Sequence, residues 1–151
     1  MKRPVIIHFW DGKTKHKTEG MKIEIFYVLS GSMRFVTDMQ EYRFHAEDVI
    51  LADFGEKCEW ESDRDGLIVQ LSVDYFYICS QMPGMHPCFF CNSVEEEDER
   101  YYRLKEILRK VSKEYIATER TDGLKYTAYA YQLLLVLTEE FSNIKKTGVQ
   151  I

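Results

Sequence analysis

No stretch of these 151 residues approaches the run of about 20 apolar side chains that a membrane helix needs. The amino end, MKRPVIIHFWDGKTKHK, offers two basic residues and an apolar run of only about seven, and no small-residue cleavage site follows. A secretory leader is therefore not expected. A cytoplasmic chain with no membrane partner is. Positive charge is also scarce: 20 Lys and Arg against 25 Asp and Glu leave a net charge of −5. Phosphate backbones are gripped by clustered basic residues, so this chain by itself is not expected to hold nucleic acid. Cysteine is limited to positions 58, 79, 88 and 91. Without a leader, and at a length that needs no covalent staples, these read as reduced thiols. Internal repeats, low-complexity tracts and calcium-loop spacing are absent too, which excludes solenoids and EF-hands.

What the chain does have is enough apolar mass for one domain. Hydrophobic residues make up 45% and charged residues 30%, the balance of a soluble globular protein. Aromatic residues reach 14%, and such side chains concentrate in cores, interfaces and pockets.

The amino-terminal two thirds read as short strands separated by turns. Candidate strands lie at residues 5–10, 21–29, 34–37, 41–44, 49–52, 58–61 and 67–73, with 11–20 as a polar loop. The run Val49-Ile50-Leu51-Ala52 is apolar throughout, as in a strand covered on both faces. In 67–73 the alternation places Leu67, Val69, Leu71 and Val73 on one side. About seven or eight such strands, with turns between them, predict an all-β sandwich or barrel.

Near residue 92 the period changes. Ser93-Val94-Glu95-Glu96 has the form of a helix capping box, with the acidic run Glu95 to Glu99 suited to a first turn. Tyr101, Leu104, Leu108, Val111 and Tyr115 then recur at helical spacing. Thr121-Asp122-Gly123 marks a turn and a second helix start, and that helix carries Leu133-Leu134-Leu135-Val136-Leu137. Five apolar residues in succession point all around a helix, so part of its circumference is expected to face another chain. The expected organisation is a barrel over 1–91, a helical pair over 92–144 joined to it as one structural unit, and a linker over 145–151. Leu104, Leu108, Tyr131, Leu134, Leu135, Leu137 and Phe141 are the expected homodimer surface.

A barrel followed by two helices, with Glu24-Ile-Phe-Tyr-Val-Leu-Ser-Gly31, Glu47-Asp48-Val-Ile-Leu-Ala, Phe54-Gly55-Glu56-Lys57-Cys58 and Cys91-Asn92-Ser93 in that order, resembles the effector-binding and dimerisation half of AraC-type transcription regulators, a branch of the cupin superfamily. The fold this implies is mainly β with C-terminal α: a cupin-like double-stranded β-helix barrel and an antiparallel pair of helices. Metal-binding cupins carry a His-x-His pair, a Glu and a further His. At the matching positions this chain has Thr18 and Gly20, Glu24 and Cys58, and Glu47 stands where a Gly usually precedes Asp48. One carboxylate and one thiol fall short of the three or four ligands a first-row metal wants. The resemblance therefore implies no cofactor, no catalytic residue and no metal. It implies a small-molecule effector, most simply a sugar, with DNA reached only through a separate C-terminal domain. The rival readings are a metal-dependent cupin enzyme and a stand-alone binding module.

If Glu24 faces into the barrel, strand alternation sends Phe26 and Ser30 with it, and Cys58, Trp60, Val69 and Leu71 join from neighbouring strands. These seven residues are the expected ligand pocket: an aromatic wall, a few polar groups and apolar filler. A core tryptophan and a carboxylate paired with Arg34 or Arg43 is the plainer alternative. Cys79, His86, Cys88 and Cys91 have spacing that a zinc ion could use, although Cys91 also fits an ordinary apolar position.

Overall fold

The computed structural model describes residues 4–18, 20–120 and 123–143. Eight strands come first: β1 (Val5–Asp11), β2 (Thr14–Lys17), β3 (Lys22–Ser30), β4 (Ser32–Val36), β5 (Glu41–His45), β6 (Val49–Ala52), β7 (Glu59–Ser62) and β8 (Leu67–Asp74). Three helices follow: α1 (Tyr75–Gln81), α2 (Arg100–Thr118) and α3 (Leu124–Glu140). The strands form two antiparallel four-stranded sheets, one in the order β1-β8-β3-β6 and the other β2-β7-β4-β5. The chain crosses between the sheets at nearly every turn, which is the eight-stranded jelly roll, or double-stranded β-helix, of cupin-like barrels. The expected fold class is what the structure has.

Turns that force this crossing have specific chemistry. Gly31 sits at φ +73°, and a Cβ there would lie 2.6–2.7 Å from Asp63 and the Asp65 backbone. No other residue fits between β3 and β4. Glu47, at the position expected from the resemblance to hold Gly, adopts φ +77° and so takes the left-handed conformation itself. Its carboxylate accepts a 2.6 Å bond from the Tyr27 hydroxyl and pairs with Arg109, tying the barrel to α2.

The first sheet has two apolar faces with different partners. Ile23, Ile25, Tyr27, Val69, Leu71 and Val73 join Leu104, Leu108, Val111, Leu133, Val136 and Leu137 in one core between the sheet and the helices. Phe26, Val28, Met33, Phe35, Phe44, Trp60 and Ile68 make a second core between the sheets. The helices α2 and α3 run antiparallel: Arg103 pairs with Glu139 at one end and Lys125 with Glu114 at the other.

Four expectations about local structure are corrected. Residues 11–20 are not all loop, because β2 lies within them. Helix α1 has no counterpart in the sequence reading: its residues, YFYICSQ, are largely β-prone, and the Asp74 carboxylate that accepts from Phe76 N at 2.9 Å starts it. Ser93 is not a helix cap. It accepts from Val49 N and donates to Asp48, securing the strand before the helix. The acidic run precedes α2, with Asp98 accepting from Arg100 N at 3.0 Å. The expected cap at Thr121-Asp122 and the linker at 145–151 lie outside the described residues.

Candidate functional site

Register decides which side chains enter the barrel. Glu24 lies opposite Ser72 and Ala52, and Phe26 opposite Gln70 and Ile50. Directly opposed residues share a face, so β8 contributes Ile68, Gln70 and Ser72 to the interior. Val69 and Leu71 point the other way, onto the helices. Their expected place in the pocket is thus wrong. Alternation alone could not choose the inward parity of β8, because both faces of this strand are covered. Ser30 is also misplaced: a bulge between Val28 and Ser30 turns it outward, and its hydroxyl donates to Asp65 O at 3.0 Å. Glu24, Phe26, Cys58 and Trp60 do face inward.

Half of that interior is solid. Trp60 packs its ring 5.3 Å from Phe26 and 5.6 Å from Trp10, and Phe35 sits 5.7 Å from Phe26 and 6.2 Å from Phe44. Trp60 is only 2% exposed. It is a core residue, and no ligand ring can lie flat on it as the barrel stands.

The other end of the barrel is polar. Glu24 and Gln70 are buried, at 3% and 8% exposure, and Ser72 is half-buried beside them. Gln70 Nε2 donates to Glu24 Oε1, while Gln70 Oε1 accepts from Trp10 Nε1 at 2.6 Å. The relay orients the amide: the indole fixes its oxygen, so its NH₂ must face the carboxylate. Ser72 Oγ stands 3.5 Å from the same Glu24 oxygen. Neither Arg34 nor Arg43 reaches Glu24; Arg34 pairs with Glu41 and Glu61 on the outer face. Rows from this end lead outward to Ile6 opposite Ser72 and His8 opposite Gln70, both exposed on the edge strand. His8 and His16 flank Trp10, each ring centroid 4.1 Å from it. Although His8 lies on the exposed edge, partial desolvation of its ring and the facing His16 hold it below its ordinary pKa. At the same end of the second sheet a depression of about 370 Å³ is lined by Lys17, Thr18, Thr37, Asp38, Lys57 and Cys58.

A metal does not fit the donors at the positions the cupin pattern uses. Thr18 Oγ1 is engaged with the Cys58 backbone, accepting from its N at 3.0 Å. The Cys58 side chain is buried among the rings of the inner core, and burial pushes its thiol up to about 12. Glu24 is already engaged by Gln70. Among the described residues no group of three or more His, Cys, Asp or Glu is placed to hold an ion. That includes Cys79, His86, Cys88 and Cys91. Cys91 is buried in the helix–sheet core with its thiol pushed up by burial, whereas Cys88 is exposed, so the two point into different surroundings.

The expected dimer surface divides in the same way. Leu104, Leu108 and Leu137 are fully buried and Phe141 is 3% exposed, all inside the chain's own core. They cannot meet a partner, because the helical pair uses them against the sheet. Tyr131 and Leu135 are exposed, at 40% and 50%, and with half-buried Leu134 they line a cleft of about 300 Å³ against Tyr77, Ile78 and Met82.

Sequence reasoning missed Gln70, Ser72 and Trp10. A legible signal existed, since Gln70 and Ser72 are polar residues set into an otherwise apolar strand.

No protein-family model matches the chain, and no curated protein matches it in sequence. Solved structures similar to parts of it include a cupin 2 conserved barrel domain protein from Salinispora arenicola, 16% identical, covering 53% of this chain and 71% of that one at a TM-score of 0.44. A cupin superfamily protein from Desulfitobacterium hafniense is 14% identical over 48% of this chain and 70% of its own, at 0.43. A putative ethanolamine utilization protein Q from Salmonella typhimurium is 17% identical over 48% of this chain and 59% of its own, at 0.40. Among the described residues no helix is long and apolar enough to cross a membrane.

Proposed function

We propose that this chain is a small-molecule-sensing and dimerising unit of the AraC type, taking a hydroxyl-rich effector such as a sugar at the polar end of its barrel. DNA contact, on this reading, belongs to a separate C-terminal domain. The observation that carries the proposal is the Trp10–Gln70–Glu24 relay: a buried carboxylate held as an acceptor among polar side chains inside the barrel. A sugar hydroxyl donating to Glu24, with Ser72 beside it, satisfies that geometry. Buried polar groups kept in one orientation are a common means of ligand discrimination.

A route from this end to the helices supports a sensing role. Ala52 lies opposite Glu24, and β6 is hydrogen-bonded to residues 91–93 through Leu51 N to Cys91 O and Ser93 N to Val49 O. The preceding residues pair with the end of α3: Phe90 N donates to Phe141 O and Asn143 N to Cys88 O. An effector shifts this arrangement only in so far as it binds one form more tightly.

The experiment is a thermal-shift screen of the purified chain against sugars and small metabolites, repeated with Glu24→Gln. A specific effector raises the melting temperature by mass action, and Glu24→Gln weakens its binding at least tenfold. No response to any compound, or a stoichiometric transition metal in the purified protein, contradicts the proposal. For the dimer, Leu135→Asp is the informative substitution, since Leu137→Asp would only break the core. Sizing is expected to show a dimer converted into a folded monomer. A wild-type chain that elutes as a monomer removes the dimer from the proposal.

A further inference from the structure

Each sheet has two edges, and three of the four are protected. Strand β2 carries two lysines and β5 presents Glu41, Arg43 and His45, charges that discourage another strand from pairing. Strand β6 is covered by residues 91–93. The fourth edge, β1, is VIIHFWD and pairs only with β8. Asp74 N donates to Pro4 O, and Gly12 N to Gly66 O, just beyond the two ends of the β1–β8 ladder. In an antiparallel ladder this makes Val5↔Val73 and Ile7↔Leu71 non-hydrogen-bonded pairs. The backbone N–H and C=O groups of Val5 and Ile7 therefore point away from β8, on the side of the strand where α3 lies.

That edge is one wall of a groove of about 200 Å³, running along Pro4 to Ile7. The other wall is α3, through Tyr126, Thr127, Ala130 and Tyr131, with the small Ala130 leaving the room. Tyr126 is 4% exposed, and its hydroxyl is buried without a hydrogen-bond partner. A buried hydroxyl without a partner is destabilising.

We infer that this groove is a docking site for an extended, apolar segment of a partner protein, which adds a strand to β1. Two outward residues spaced about 7 Å apart along the strand match the repeat of an extended peptide. One apolar side chain of that peptide fills the space over Ala130. A small effector would leave the Val5 and Ile7 groups unpaired, which is why the groove suits a strand. The site is independent of the effector at the barrel end.

The test uses an acetylated, amidated heptapeptide alternating valine and threonine between terminal lysines, titrated into isotope-labelled chain and followed by amide NMR. Saturable shifts at Val5, Ile7 and Thr127 are expected, with exchange protection of the Val5 and Ile7 amides. Thr127→Lys, an exposed position that swings a charged chain across the groove, weakens binding at least tenfold, and Glu24→Gln leaves it unchanged. Three outcomes overturn the inference. One is no shift up to millimolar peptide. Another is equal binding by Thr127→Lys. The third is prior protection of the Val5 and Ile7 amides in a dimer that dissociates with Ile6→Lys, which would make a second copy the occupant.

Discussion

The two ends of the barrel interior are built from opposite materials. One is an interlocked set of rings and aliphatic chains around Trp60, Phe26, Phe35 and Phe44. The other is a short hydrogen-bonded relay from Trp10 through Gln70 to Glu24, with Ser72 alongside. Both are buried, so exposure does not separate them. What separates them is which end can exchange a partner. A ring cluster gains only from staying closed, by dispersion and by excluding water. A carboxylate held by hydrogen bonds can exchange one donor for another, here an incoming hydroxyl. The filled end fixes the shape of the barrel, and the polar end is where the proposed effector would enter it.

The comparison breaks most visibly at the filled end. Trp60→Ala should cost about 3–5 kcal/mol, since it leaves a cavity among rings that cannot collapse together. Urea unfolding measures it, and a loss under about 1 kcal/mol would mean that this end is not closely packed. At the polar end, Gln70→Leu should cost about 1–3 kcal/mol by stranding the Trp10 N–H and removing the amide that donates to Glu24. The distinguishing outcome is that Gln70→Leu also removes the response to an effector, whereas a milder change at the filled end, such as Phe35→Leu, keeps it.

Why the sequence showed one end more clearly than the other follows from the strands themselves. Phe26 and Trp60 are large apolar residues in alternating patterns, and a closed barrel has to put such residues somewhere inside. For β8 the pattern was ambiguous. Helices cover the outer face of the first sheet, so Val69 and Leu71 are as buried as Ile68, and apolar alternation carries no sign. Only the register with Glu24 supplies it, and register is a property of strand pairing. Likewise α1 depends on the Asp74 cap, and the closed fate of Leu104 and Leu108 depends on α2 lying on the sheet. The five-residue run in α3 is apolar all round in sequence, but only part of it is buried. Leu133, Val136 and Leu137 go inward, and Leu135 stays out.

Smaller effects sharpen the contrast further. Tyr126→Phe removes a hydroxyl that has no partner, so the unliganded chain should be unchanged or more stable by up to about 1 kcal/mol. Differential scanning calorimetry decides this, and a clear loss of stability would show that the hydroxyl has a partner. The smallest effect concerns pH at the edge of the polar end. His8 is held below its ordinary pKa by burial and by His16, so the folded chain resists a proton that the unfolded chain accepts. The resulting stability is complete above about pH 6.5 and is lost as pH falls through the lowered folded value. His16→Gln, by removing one charge, should flatten that decline in a melting-temperature series from neutral to acidic pH. An unchanged slope would show that the two imidazoles do not interact.

The most direct measurement is the indole N–H resonance of Trp10 during titration with the strongest binder from the sugar screen. Because that proton is donated to Gln70, which in turn holds Glu24, an effector arriving at the carboxylate should move it in proportion to occupancy. Glu24→Gln should then require at least ten times the concentration for the same shift. Saturable binding that leaves the Trp10 indole unmoved would place the effector elsewhere and contradict the account.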